Sequence, residues 1–208
     1  TEPEPTQPRR NFTWAPDGNG LIYLEQEPAP DSAAADTAAG RSPDRAAAAG
    51  QEAAQERPRA RRMDRVIRWV PPFDSTSTQV IYETATRMAS ASFSEDMSIL
   101  FASERTGQTT HQYAVFLDDP DERHTLFRWN STNFYDNPGS LLSSGALGGT
   151  GGGPGGGGGP GGAAAPSGTI RVSADGQHVF LRGTQYDKNP EEVAPISFID
   201  KLNIRSGE

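Results

Sequence analysis

Apolar positions in this chain come in short runs, separated by clusters of Asp, Gly, Pro, Ser and Asn. Short apolar runs bounded by turn formers predict β-strands, since a helix needs a longer stretch of 3.6-residue periodicity. The middle of the chain gives the clearest set: MASASF (88–93), ILFAS (99–103), QYAVFL (112–117) and TLFRW (125–129). The breaks between them contain SEDM, ERTGQTTH and DDPDERH, where Asp and Gly bend the chain and Pro120 cannot donate to a ladder. The second and third strands are continuous apolar runs rather than strict alternations. That pattern predicts a sheet covered on both faces.

The same layout recurs. WAPDGNGLIYLEQE from Trp14, FSEDMSILFASER from Phe93 and VSADGQHVFLRGT from Val172 share one phrase: an apolar residue, a small or polar one, a variable one, then Asp17, Asp96 or Asp175, followed by an apolar run. The starts are 79 residues apart in both intervals. Two stretches of biased composition interrupt this order. Residues 28–62 are rich in Ala but broken by Gly40, Pro43, Gly50 and Pro58, with no apolar stripe to dock a helix, which predicts a disordered insertion. Residues 145–168 hold over half of the 23 glycines and read as a flexible linker. Gly151, Gly153 and Gly156 satisfy a dinucleotide-type spacing there by chance, since no strand precedes and no helix follows. Without the 35 residues of the first insert and the 24 of the second, the intervals shrink to 44 and 55. A unit of that length fits a four-stranded propeller blade.

The expected fold is therefore all-β: a partial antiparallel β-propeller of about three blades, open at both ends, with disordered insertions. Its divisions are a disordered tail over 1–10, a blade from 11–27 plus 63–84, a second blade over 85–130 and an incomplete one over 169–208. Open blade faces and unpaired edges predict that the isolated chain associates or folds poorly. A free-standing β-sandwich is the competing architecture.

Composition removes several function classes. The formal charge of −8 and a pI near 4.9 argue against nucleic acid as a partner, because phosphate binding needs a basic footprint. There is no Cys for a disulfide framework or a thiolate metal site. No apolar run approaches the roughly 18 residues of a membrane-spanning helix. The chain begins TEPEPTQPRR, with neither an initiator Met nor the apolar core of a signal peptide, and is expected to be a piece of a longer protein.

The ordered string RRNFTWAPD, LIYLEQE, DRVIRWVPPFD, FYDNPGSLL, SGTIRVSADGQHVFLRGTQ and FIDKLNI resembles the propeller of the prolyl oligopeptidase family of serine peptidases, in particular its glutamyl endopeptidase-like members. The resemblance covers most of the chain outside the inserts. It implies a propeller that gates or positions peptide substrate over a downstream α/β-hydrolase domain of the same protein, with acyl transfer through a serine ester and no cofactor. It also implies a periplasmic or secreted location. The catalytic Ser, Asp and His of the family lie in the hydrolase domain, and no G-x-S-x-G occurs here. No residue of this chain is therefore assigned a catalytic, cofactor-binding or metal-binding role. The alternative function is a binding or scaffold propeller, protein- or sugar-binding and periplasmic, with no hydrolase.

Other clusters have plain readings beside sharper ones. His111, His124 and His178 fall in different units and are read as surface or strand-edge residues. Asp118, Asp119, Asp121 and Glu122 lack the Gly and terminal Glu of a hand-type calcium loop and read as a solvated turn. Arg57, Arg59, Arg61, Arg62, Arg65 and Arg68 could meet an acidic partner but read as the solvated end of the first insert. Glu191 and Glu192 stand in a context unlike the paired glutamates of dipeptidyl-type relatives. Asn11 and Asn130 lie in N-x-[ST] sequons, which matter only in a glycosylating pathway. Trp14, Trp69 and Trp129 are read as blade packing.

Overall fold

The computed structural model describes residues 9–27, 62–144, 168–189 and 191–208. The expectations for 1–8, 28–61 and 145–167 lie outside the described residues. Within them the chain is all-β, with no helix. The strands are β1 (Arg10–Trp14), β2 (Leu21–Gln26), β3 (Asp64–Trp69), β4 (Thr78–Thr84), β5 (Met88–Phe93), β6 (Ile99–Thr106), β7 (Thr109–Phe116), β8 (Arg123–Asn130), β9 (Ser140–Leu141), β10 (His178–Gln185) and β11 (Ile196–Asn203).

They form three antiparallel sheets, ordered β1-β2-β3-β4, β5-β6-β7-β8 and β11-β10-β9, none of them closed on itself. Neighbours in the chain are neighbours in each of the first two sheets, even across the long connection between β2 and β3. The third sheet begins with Ser140 and Leu141, which pair with Arg182 and Leu181. GTIRVS (168–173), which by the recurring layout opens the third unit as its first strand, does not form a ladder of its own. Its backbone is divided among three neighbours: the Ile170 N–H donates to Phe93 O, Arg171 N–H to Leu142 O, and Ser173 N–H to His178 O.

The recurring Asp has the same job in each unit. The carboxylates of Asp17, Asp96 and Asp175 accept the N–H two residues on, from Asn19 at 3.0 Å, Ser98 at 3.1 Å and Gln177 at 3.0 Å. This bond mimics a backbone turn and reverses the chain between the first and second strands. In two units a serine completes the motif. Ser94 Oγ donates to Asp96 and accepts the Ile99 N–H, while Ser173 Oγ donates to Asp175 and accepts the His178 N–H. Ala15 replaces the serine in the first unit, and Arg68 from β3 pairs with Asp17 instead.

The sheets pack face to face in series. From β6, Leu100 and Ala102 meet Ile22, Leu24, Val66 and Tyr82 of the first sheet. Its other face, Ile99 and Phe101, meets Leu141, Val179 and Leu181 of the third sheet, with Ile170 and Ile204 closing that core. Two-sided burial explains why ILFAS shows no alternation. The outermost faces stay open, with Trp14 65% and Val80 55% exposed on the first sheet and Ile199 65% exposed on the third. Trp129 is buried as expected of a packing residue, whereas Trp14 is not.

Candidate functional site

Two open clefts lie side by side where the leading edges of the three sheets converge. One, of about 760 Å³, is bounded by Ser94, Asp96, Ile99 and Phe116 on one side and by Ile170 and Phe180 on the other. The second, of about 630 Å³, runs between β1 and β5 and is bordered by Thr13, Trp14, Ala15, Ser90, Ser92 and Phe93. Ser144 and Thr169 border both clefts, and they are tied together by Ser144 N–H to Thr169 O at 2.7 Å and by hydroxyls 2.9 Å apart. The clefts differ in chemistry. Glu95, Asp96 and Arg171 line the first, whereas among the described residues no charged side chain lines the second.

Ser173, Asp175 and His178 bring the three residue types of a hydrolytic triad together in one turn. Their connections are wrong for that chemistry. A triad needs the serine hydroxyl on the imidazole, which is in turn held by the carboxylate. Here the Ser173 hydroxyl donates to Asp175, and the hydroxyl oxygen accepts the His178 backbone N–H. The His178 ring only approaches Asp175, at 3.4 Å. The Ser173 hydroxyl and the Gln177 N–H pull Asp175 down to about 2. Such a carboxylate is a fixed turn anchor rather than a base. Asp96 is lowered for the same reason, by the Ser94 hydroxyl first and the Ser98 N–H and hydroxyl next.

A row of charged and polar groups crosses the interface between the first two sheets. Asp64, fully buried at the start of β3, is paired with Arg10 of β1 and accepts the Met88 N–H of β5 at 2.7 Å. Arg10 also donates to Met88 O at 3.0 Å. Farther along, Glu104 of β6, 2% exposed, accepts from Thr84 Oγ1 at 2.9 Å and from Arg123 Nη1 at 2.8 Å. Arg123 also donates to the Tyr82 hydroxyl and lies 4.0 Å from the Tyr113 ring centroid. Burial opposes its charge, but the hydrogen bond with the Tyr82 hydroxyl and the bond and charge of the Glu104 carboxylate outweigh that, so its pKa is raised. Two buried carboxylates, each with an arginine, thus tie the sheets together. Each is an acidic residue beside the apolar positions of its strand, Asp64 before Val66 and Ile67 and Glu104 after ILFAS, and that placement is the signal by which the sequence could have shown them.

The residues singled out in the sequence are scattered. His111 stacks on Tyr113, and His124 packs edge-on against Phe116 with Glu122 at 3.4 Å. Asp118 to Glu122 form the β7–β8 turn through successive bonds to Phe116 O and Asp119 O. No group of three or more His, Asp or Glu among the described residues is placed to hold a metal ion. Glu191 and Glu192 are exposed between β10 and β11. The Asn11 amide donates to Ala89 O, while Asn130 closes an exposed turn by accepting from Thr132. Of the basic run, Arg65 meets Glu27 and Glu83, and Arg68 meets Asp17. No helix among the described residues is long and apolar enough to cross a membrane.

No family model matches the sequence, and no curated protein matches it.

Proposed function

We propose that the chain is a non-catalytic β-propeller segment of a serine-type peptidase that gates or positions peptide substrate over a downstream α/β-hydrolase domain. The observation that carries the propeller reading is the burial of the middle sheet on both faces, in series with a sheet on either side. Blades of a propeller are buried between neighbours in that way, and the two clefts lie where edges of the three sheets approach, which supports the reading. The peptidase reading rests on the resemblance of the repeat phrases. Support for a supporting rather than catalytic role comes from the wrong connectivity of Ser173, Asp175 and His178.

One observation favours a second reading, a binding propeller without a hydrolase. The cleft between β1 and β5 has a neutral lining of hydroxyl and apolar side chains, suited to an uncharged ligand. The two readings separate in one experiment. Reading the gene beyond Glu208 and labelling its full-length product with a serine-reactive fluorophosphonate is expected to give a G-x-S-x-G phrase and a labelled band. Further blades and then a stop, with no labelling, would overturn the peptidase reading in favour of the second.

A further inference from the structure

We propose that Asn19–Gly20, in the β1–β2 turn, is a site of spontaneous deamidation and that Arg68 accelerates it. The reaction needs only water. The Gly20 backbone nitrogen attacks Asn19 Cγ, forming an N–C bond; the Cγ–Nδ2 bond breaks, and ammonia leaves carrying the Gly20 proton. Water then opens the cyclic imide at either carbonyl, giving aspartate or isoaspartate.

Three features of the turn favour this step. Of the seven asparagines, Asn19 alone precedes glycine; Asn137 and Asn189 precede proline, which has no N–H to become the nucleophile. Asn19 is exposed, and among the described residues the Gly20 N–H takes part in no hydrogen bond. The third feature is electrostatic. Arg68 donates to the Asn19 carbonyl oxygen twice, from Nε at 3.1 Å and Nη2 at 2.8 Å. That oxygen belongs to the same peptide group as the Gly20 nitrogen. When the nitrogen loses its proton, the charge is shared onto the oxygen, where a guanidinium is already in place. The arrangement is the logic of an oxyanion hole applied to a peptide anion.

The fold also keeps the site from being lost by drift. A Cβ at position 20 would lie 2.4 Å from Trp69 O, and the backbone there has φ of +106°, so the position demands glycine. Conversion places a new carboxylate beside Asp17 and Arg68. Isoaspartate also lengthens the main chain by one carbon within the turn closed by Ala15 N–H to Gly20 O.

The test is ageing of the purified chain at mildly alkaline pH, followed by peptide mapping and isoaspartate methylation. Asn19 is expected to convert before any other asparagine, faster as pH rises. Arg68→Gln and Arg68→Lys are expected to slow the folded protein's conversion about threefold or more, with no difference between variants in urea. Arg68→Lys is the milder substitution, keeping a cation at the position for folding while losing the two-pronged contact. Earlier conversion at another asparagine, or equal or faster conversion in folded Arg68 variants, would overturn the proposal.

Discussion

Asp64→Ala is the sharpest perturbation of the junction between the first two sheets. The carboxylate is fully buried, and its removal strands two donors: the Arg10 guanidinium, 19% exposed, and the Met88 N–H. Breaking a buried ion pair by deleting one partner costs about 3–5 kcal/mol, because the remaining charge stays out of water. Arg10 keeps some solvent contact, and Asp64 Oδ1 has no hydrogen-bond partner among the described residues, so part of the native arrangement is already unfavourable. The lower end, about 3 kcal/mol, is therefore expected. At about 3 °C per kcal/mol for a domain near this size, the thermal midpoint should fall by about 10 °C. The assay is urea and thermal unfolding followed by far-ultraviolet circular dichroism, on Asp64→Ala, Arg10→Ala and the double variant. Arg10→Ala should cost as much, since it leaves Asp64 buried without its cation. The double variant should cost less than the sum of the two by about 1 kcal/mol or more. A cost for Asp64→Ala under about 1 kcal/mol, or strict additivity, would refute the claim that this pair fastens the sheets.

Other expectations are more local. The turn carboxylates Asp17, Asp96 and Asp175, and Asp74, which accepts the Thr76 N–H between β3 and β4, are all held below the usual 3.8, so their contribution is present above about pH 4 and is lost as pH falls below it; urea midpoints at stepped acid pH should decline there, and less steeply in Asp175→Asn, whose native carboxylate is held down to about 2. Gly20→Ala, which drives a Cβ against Trp69 O, should cost about 3 kcal/mol or more by denaturant titration, whereas Gly18→Ala, at φ +73° in open space, should cost about 1. Leu100→Ala, fully buried in β6 between two sheets, should lose about 3–5 kcal/mol, while Ile199→Ser on the open face of the third sheet should leave stability within about 0.5. Equal effects at Leu100 and Ile199 would contradict the stacked order of the sheets.

The sequence was most informative where burial and turn chemistry agreed. Met88–Phe93 coincides with β5, because Asp96 gives an unmistakable break and both flanking runs are apolar. The apolar run ILFAS marks only the first part of its strand. β6 continues to Thr106 and meets Thr109 in a tight hairpin, since backbone pairing runs on through polar residues that pattern alone assigns to a loop. GTIRVS reads as an opening strand from its place in the recurring layout, yet its backbone partners lie in three separate places, which the repeat does not encode. The clefts were not legible at all. They arise from three sheets converging, and Ser144 and Thr169 meet there although 25 positions separate them in the chain.

The ladder between β2 and β3 is paired to its last rung, Gln26 opposite Asp64, and the Glu27 N–H still donates to Met63 O at 2.8 Å. The two chain ends leaving that ladder are thus fixed side by side, whatever sequence joins them. Loop closure costs only about 0.6 kcal/mol for each doubling of length, so the sheet is nearly indifferent to how many residues bridge the gap. The mouth of this hairpin is in effect a splice port: a two-residue turn, an affinity tag or an entire small domain whose own ends lie close together could be exchanged there. Selection on the sheet would exert almost no pressure on what occupies it.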